Sequence, residues 1–128
     1  MSTGLIRAIS RDLLRDQACA ATPFPYVVID EFLNPDFARE VLRSWPSYEQ
    51  AAKMGKEFRS INERRKVQVT DSSQFPQPLK ELNAALASPT FLEDVSWIFG
   101  IDDLLVDPEL DGGGLHQTGP RGRLDVHI

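Results

Sequence analysis

Cysteine is nearly absent from this chain: Cys19 is the only one in 128 residues. A lone thiol excludes a disulfide framework within the chain and a cysteine-built zinc site, and Cys19 reads as a small, partly buried residue. A basic surplus is absent as well. Lys and Arg number 14 against 19 Asp and Glu, a formal net charge of -5 at pH 7. That balance argues against a general nucleic-acid binder, which carries a basic face. Nor does any apolar run approach the roughly 20 residues of a membrane helix. The most apolar N-terminal stretch, Leu5 to Ala21, is interrupted by Arg7, Asp12, Arg11, Arg15 and Asp16, which also excludes a signal-peptide h-region. The expected compartment is the cytoplasm, with neither membrane nor nucleic acid as partner. What is present, 41% hydrophobic and 26% charged residues, belongs to a soluble globular chain, and residues 1–128 have the length of a single domain.

Periodicity and punctuation divide the chain into segments. Ile6, Ile9 and Leu13, with Leu5 and Leu14 beside them, recur at helical spacing, so the first segment reads as an amphipathic helix. Thr22-Pro23-Phe24-Pro25 blocks its continuation, and Tyr26-Val27-Val28-Ile29 is a β-branched run expected to form a strand buried on both faces. Asn34-Pro35-Asp36 supplies a cap, a first-turn proline and a first-turn acid for a helix carrying Phe37, Val41 and Trp45 up to Pro46. From Ser47 to Arg65 the periodicity fades while Lys53, Lys56, Arg59, Arg64 and Arg65 crowd together. This stretch reads as mostly irregular, either a solvated loop or a lid that meets an anionic substrate. Val67 and Val69 alternate with polar residues in a half-exposed strand. Pro76 and Pro78 open a helix bearing Leu79, Leu82 and Leu86. Ser88-Pro89 opens another, with Phe91, Leu92, Val95, Ile98 and Phe99, stopped by Gly100. Leu104-Leu105-Val106 reads as a strand entry. No repeat or low-complexity segment is visible.

The last stretch, Asp107 to Ile128, holds both histidines and most of the glycines. Two strand-like pieces, Gly114 to Gln117 and Leu124 to Ile128, flank a turn expected over Thr118 to Gly122. Within the second piece Asp125 and His127 share one face and Leu124, Val126 and Ile128 the other, the alternation of a barrel strand with a polar interior. His127 is then either an imidazole hydrogen-bonded in a half-buried strand or a metal ligand. His116 and Gln117 follow the Gly112-Gly113-Gly114 run and line the same pocket or a layer behind it. Arg121 and Arg123 read as solvated turn residues or as contacts to an acidic substrate. A set made of His116, Asp125 and His127 contains the ligand types of a two-histidine, one-carboxylate iron site.

Helices first and strands late is the order of α+β proteins, in which helices cover one face of a mainly antiparallel sheet. Four or so short strands are few for that many helices, and the final strand has no turn or cap after it. The chain is therefore expected to be the N-terminal part of a larger domain.

Three segments resemble the Fe(II)- and 2-oxoglutarate-dependent dioxygenases of the prolyl-4-hydroxylase-like branch. PFPYVVIDEFLNPDFAREVLRSWPS looks like the opening strand and helix of such enzymes, FLEDVSWIFGIDDLLVDPELDGGGLHQ like the helix and first barrel strand, and GRLDVHI like the strand that bears the first iron ligand. The resemblance implies helices packed on an incomplete double-stranded β-helix, a jelly-roll or cupin-like sheet. It implies Fe(II) as metal, with His127 as its first ligand, and 2-oxoglutarate as cosubstrate, near His116 and Gln117. Oxygen and an unidentified substrate, a prolyl residue or a small molecule, would complete a C–H hydroxylation. Family members continue with an aspartate two residues past the histidine and place a second histidine and a 2-oxoglutarate-binding Arg or Lys far downstream, so this stretch by itself is expected to be inactive. A non-catalytic protein-interaction module derived from the same fold is the alternative.

Overall fold

The structure, a computed structural model, describes residues 4–126. Its content is mixed: five α-helices and one three-stranded antiparallel sheet among the described residues. The helices are α1 (Arg11–Ala20), α2 (Pro35–Ser44), α3 (Tyr48–Met54), α4 (Gln77–Leu86) and α5 (Pro89–Phe99); the strands are β1 (Lys56–Phe58), β2 (Glu63–Val69) and β3 (Leu115–Leu124). No helix among the described residues is long and apolar enough to cross a membrane. The chain divides into two compact units, each made of two separated segments: the segment up to Arg43 with Glu81–Val106, and Ser44–Lys80 with the segment from Asp107 onward.

The first unit is helical. Leu14 and Ala18 of α1 and Ile98 of α5 form its buried cluster, with Ile9, Val27, Ile29 and Phe99 packed against it. A polar clamp ties the same two helices together. The Trp97 indole N–H donates to Asp12 Oδ1 (2.8 Å), Arg15 donates to the Trp97 carbonyl (2.7 Å), and the guanidinium carbons of Arg15 and Arg11 lie 4.4 and 5.4 Å from the Trp97 ring centroid. The α5 ends follow from local chemistry: the Ser88 hydroxyl accepts from Phe91 N–H, Pro89 opens the first turn, and Gly100 closes the helix in the left-handed region at φ 65°, where a Cβ is costly. In α2 the Asn34 side chain accepts from Asp36 N–H (3.0 Å), and Phe37 and Val41 are buried as their spacing predicts.

Four expectations for this unit are corrected. The first helix starts at Arg11 rather than near Leu5, because residues 5–7 extend and pair with 32–34 through Arg7 N–H to Phe32 O and Asn34 N–H to Leu5 O (2.9 Å each). Its buried face is Leu14 and Ala18, while Leu13 is exposed. Tyr26–Ile29 joins no strand; Val27 and Ile29 pack against the helical cluster, and Val28 is 68% exposed, so the run is half-buried rather than buried on both faces. Leu104–Val106 is likewise no strand, with Leu105 at 85% exposure. Cys19 is exposed, since it lies one position from the buried stripe residue Ala18.

The second unit holds the sheet, in the order β1-β2-β3 with both pairs antiparallel. Val67 and Val69 on the central strand are fully enclosed and, with Ala51, Phe75, Leu79 and Leu115, make the core. Their strand begins at Glu63, earlier than the alternation suggests. The supposed irregular region contains α3, opened by a capping box in which Ser47 Oγ accepts from Gln50 N–H and Gln50 Oε1 accepts from Ser47 N–H. That helix covers one face of the sheet.

The turn expected over Thr118 to Gly122 is also corrected. β3 runs straight through it as one strand, and the surplus residues form a bulge. Lys66 pairs with Thr118 and Arg64 with Arg123, so Arg65 alone opposes the four residues from Gly119 to Gly122. Arg65 and Arg121 take positive φ, 52° and 60°, which sharpens the bend. Two glycines make room: a Cβ on Gly119 would lie 2.8 Å from Tyr48 Cδ2, and one on Gly122 2.9 Å from the Arg65 carbonyl oxygen.

Candidate functional site

The cross-strand register sets out the face of the sheet beneath α3. Glu57 pairs with Val67 and Val67 with Gln117, so the three side chains share that face in a row across β1, β2 and β3. Leu115 and Gly119, two positions either side of Gln117, share it too. Trp45 and Tyr48, from the segment that leads into α3, supply the aromatic cover.

Each aromatic makes one polar contact. The Trp45 indole N–H donates to Gln117 Oε1 at 2.9 Å. The Tyr48 hydroxyl donates to Glu57 Oε1, and Arg59 donates twice to Glu57 Oε2, at 2.9 Å from Nε and 2.7 Å from Nη2. The Arg65 guanidinium carbon lies 4.6 Å from the Tyr48 ring centroid, while its Nε is buried without a hydrogen-bond partner. These contacts move the titrations. Donating to the Glu57 carboxylate, with some burial, raises the Tyr48 phenol above its ordinary range. Accepting from Tyr48 and then from Arg59 lowers Glu57, and the bond to Glu57 raises Arg59.

The opposite face carries Gln68 and His116, paired with each other across β2 and β3. Gln68 Nε2 donates to the Gly113 carbonyl at 2.7 Å, and His116 Nε2 lies 2.9 Å from the same oxygen. A carbonyl only accepts, so His116 Nε2 is the donor of that contact. His116 and Gln117 are thus on opposite faces, and only Gln117 is half-buried beside aromatic cover. Asp125 donates its N–H to Asn62 O (2.8 Å), and its carboxylate lies 3.6 Å from Arg123 Nε. His127 lies outside the described residues.

This placement separates His116 from Asp125. Their partners, Gln68 on β2 and Asn62 just before it, stand six positions apart, of the order of 15–20 Å along a strand, whereas metal ligands all lie about 2 Å from one ion. The set His116, Asp125 and His127 therefore cannot serve a single iron. Among the described residues no group of three His, Cys, Asp or Glu side chains could hold a metal ion. The described donors do not by themselves fit iron. A carboxylate cosubstrate is a different matter, because the half-buried Gln117 amide offers N–H donors of the chemistry a carboxylate accepts.

The Tyr48–Glu57–Arg59–Arg65 cluster was not legible as a site. Its signal in the sequence is the Ser47-Tyr48-Glu49-Gln50 capping box, which fixes the start of α3 and so the place of Tyr48. The basic residues of the Ser47 to Arg65 stretch do not form one lid: Arg59 is tied to Glu57, Arg65 stacks on Tyr48, and Lys56 lies over the Phe58 ring, 5.1 Å from its centroid. Scans against protein-family models, curated proteins and solved structures return no match.

Proposed function

We propose that this chain is part of an Fe(II)- and 2-oxoglutarate-dependent dioxygenase of the prolyl-4-hydroxylase-like branch. In this reading the three-stranded sheet belongs to a double-stranded β-helix, His127 is an iron ligand, and Gln117 lies beside the cosubstrate. The observation that carries it is the GRLDVHI segment, whose first residues finish β3, the longest strand. The alternation of that segment, although β3 itself ends at Leu124, resembles the sequence of the family's first ligand strand. Iron and a 2-oxo acid, when bound, would supply the oxidant for hydroxylating a C–H bond. The chain's own contribution is to bind and shield: Gln117 donates to a carboxylate oxygen, and Trp45 and Tyr48 keep water from the sheet face on which it sits. Location in the cytoplasm belongs to the same proposal.

The test uses the native protein. With Fe(II) and oxygen it should convert 2-oxoglutarate to succinate, and His127→Ala should abolish the turnover. Turnover that survives His127→Ala defeats the ligand assignment, and a protein that leaves 2-oxoglutarate intact defeats the enzyme. One observation favours a non-catalytic interaction module instead: in the first unit Val28, Leu42 and Leu105 are each largely exposed apolar side chains, the residue type that partners cover. That reading expects no succinate and no effect of His127→Ala on partner binding.

A further inference from the structure

We infer that a groove in the first unit, between α5 and the segment that follows it, receives a peptide of a partner protein that carries an apolar residue flanked by Lys or Arg. No residue of the groove enters the chemistry proposed above, so the inference stands beside that reading and is tested separately from it.

The groove follows from how α5 ends. Gly100 takes the left-handed conformation, Ile101 N–H donates back to Ser96 O (3.1 Å), and Asp103, at φ 52°, turns the chain a second time, a conformation that aspartate tolerates better than most residues. Leu104, Leu105 and Val106 then line an open groove of about 450 Å³ together with Leu92, Glu93 and Ser96. The α5 members, with Pro89, are spaced by three and four and so form one stripe of the helix. That volume lies within the range of ligand sites, about 300–1,000 Å³.

Three features choose the occupant. The lining is mainly apolar, and within it Leu105 is 85% and Val106 46% exposed, so an apolar side chain seated there removes both from water. Leu104–Val106 has the composition of a strand without the partner of one: none of its backbone groups is hydrogen-bonded among the described residues. A peptide brings N–H and C=O groups to pair with them, which a small apolar molecule does not. The third feature is charge. Glu93 stands on the helix side and Asp103 at the turn, the lining contains no Lys, Arg or His, and neither carboxylate has an ion-pair partner among the described residues. The next acid along α5, Asp94, is by contrast held by Arg11. Two unpaired carboxylates beside an apolar groove favour cations on the incoming chain.

A random peptide library displayed on phage and selected against the native protein should enrich sequences with Leu, Ile or Phe next to Lys or Arg. An enriched peptide, labelled and titrated by fluorescence anisotropy, should bind more weakly as salt rises. Leu105→Ala should weaken it about tenfold or more, the worth of one buried leucine side chain. Glu93→Gln combined with Asp103→Asn should weaken it about three- to tenfold and flatten the salt dependence, asparagine keeping the left-handed turn. All three positions are exposed, so the urea midpoint should hold in each variant. Enriched peptides without cations, or peptides bound equally by the wild type and Leu105→Ala, overturn the inference, as does a library that yields no binder. A concentration-dependent dimer in sedimentation that Leu105→Ala dissolves assigns the groove to a second copy and also overturns it. Succinate formation enters none of these outcomes and tests the enzyme reading alone.

Discussion

Adding one methyl group at Gly119 should destabilise the sheet unit through Tyr48 alone. A Cβ there would lie 2.8, 3.0 and 3.1 Å from Tyr48 Cδ2, Cγ and Cε2. Those are ring atoms near the root of the side chain, so the contact is relieved only if the ring swings away. Swinging it releases the hydroxyl from Glu57 and the ring from Arg65. Overpacking of this kind costs about 1–3 kcal/mol, and replacing glycine by alanine returns about 0.4–1 kcal/mol by restricting the unfolded chain. The net for Gly119→Ala is a loss of about 1–2 kcal/mol. With a urea m-value of about 2 kcal/mol/M, the midpoint falls by about 0.5–1 M. Tryptophan fluorescence reports the transition, since Trp45 lies in the same unit. The decisive measurement is the double-mutant cycle with Tyr48→Ala. With the ring gone, Gly119→Ala should be neutral or stabilising by a few tenths of a kcal/mol. An equal loss in both backgrounds, or a gain in the wild-type background, refutes the claim that Gly119 exists to admit the tyrosine.

Gly100→Ala should cost about 1 kcal/mol in urea unfolding, with Gly100→Asn costing less, because the position has open space around a hypothetical Cβ but a left-handed φ. Val67→Ala should cost about 2–3 kcal/mol, the methyl groups lost plus the cavity left on the central strand; a value under 1 kcal/mol would mean the sheet collapses around the gap. Asp12→Ala removes the acceptor of the Trp97 indole; it should shift that tryptophan's emission and cost about 0.5–1 kcal/mol. The Tyr48–Glu57 pair sets a pH window from both sides. Glu57 is lowered in the folded state, so its stabilisation is present above the ordinary carboxylate value and is lost as pH falls through the folded value. Tyr48 is raised, so its share is present below the ordinary phenol value and is lost as pH rises through the folded one. Ultraviolet titration of the phenols should find Tyr48 titrating above the ordinary range in the wild type and returning toward it in Glu57→Gln; no difference between the two proteins contradicts the bond.

Helix legibility followed the strength of local signals. Asn34-Pro35-Asp36 and Ser88-Pro89 with Gly100 mark α2 and α5 because caps and first-turn prolines act on their own residues, whatever surrounds them. The Ser47–Gln50 box is a signal of the same kind, yet the dense lysines and arginines after it mask the helix it opens. Tyr26–Ile29 shows the opposite failure. Its composition suits a strand, but a strand exists only when another backbone pairs with it, and composition does not name that partner.

What the sequence by itself determined, then, is where α2 and α5 start and where α5 stops, and which valines lie inward on β2. Tertiary structure alone decided that Thr118 to Gly122 is a bulge within one strand rather than a turn between two, because pairing with β2 is stronger than the local preference of Gly and Pro for a reversal. It also decided that Gln117 meets Trp45, 72 residues away in the chain. Contacts at that separation depend on register and packing, which no local pattern of residues encodes.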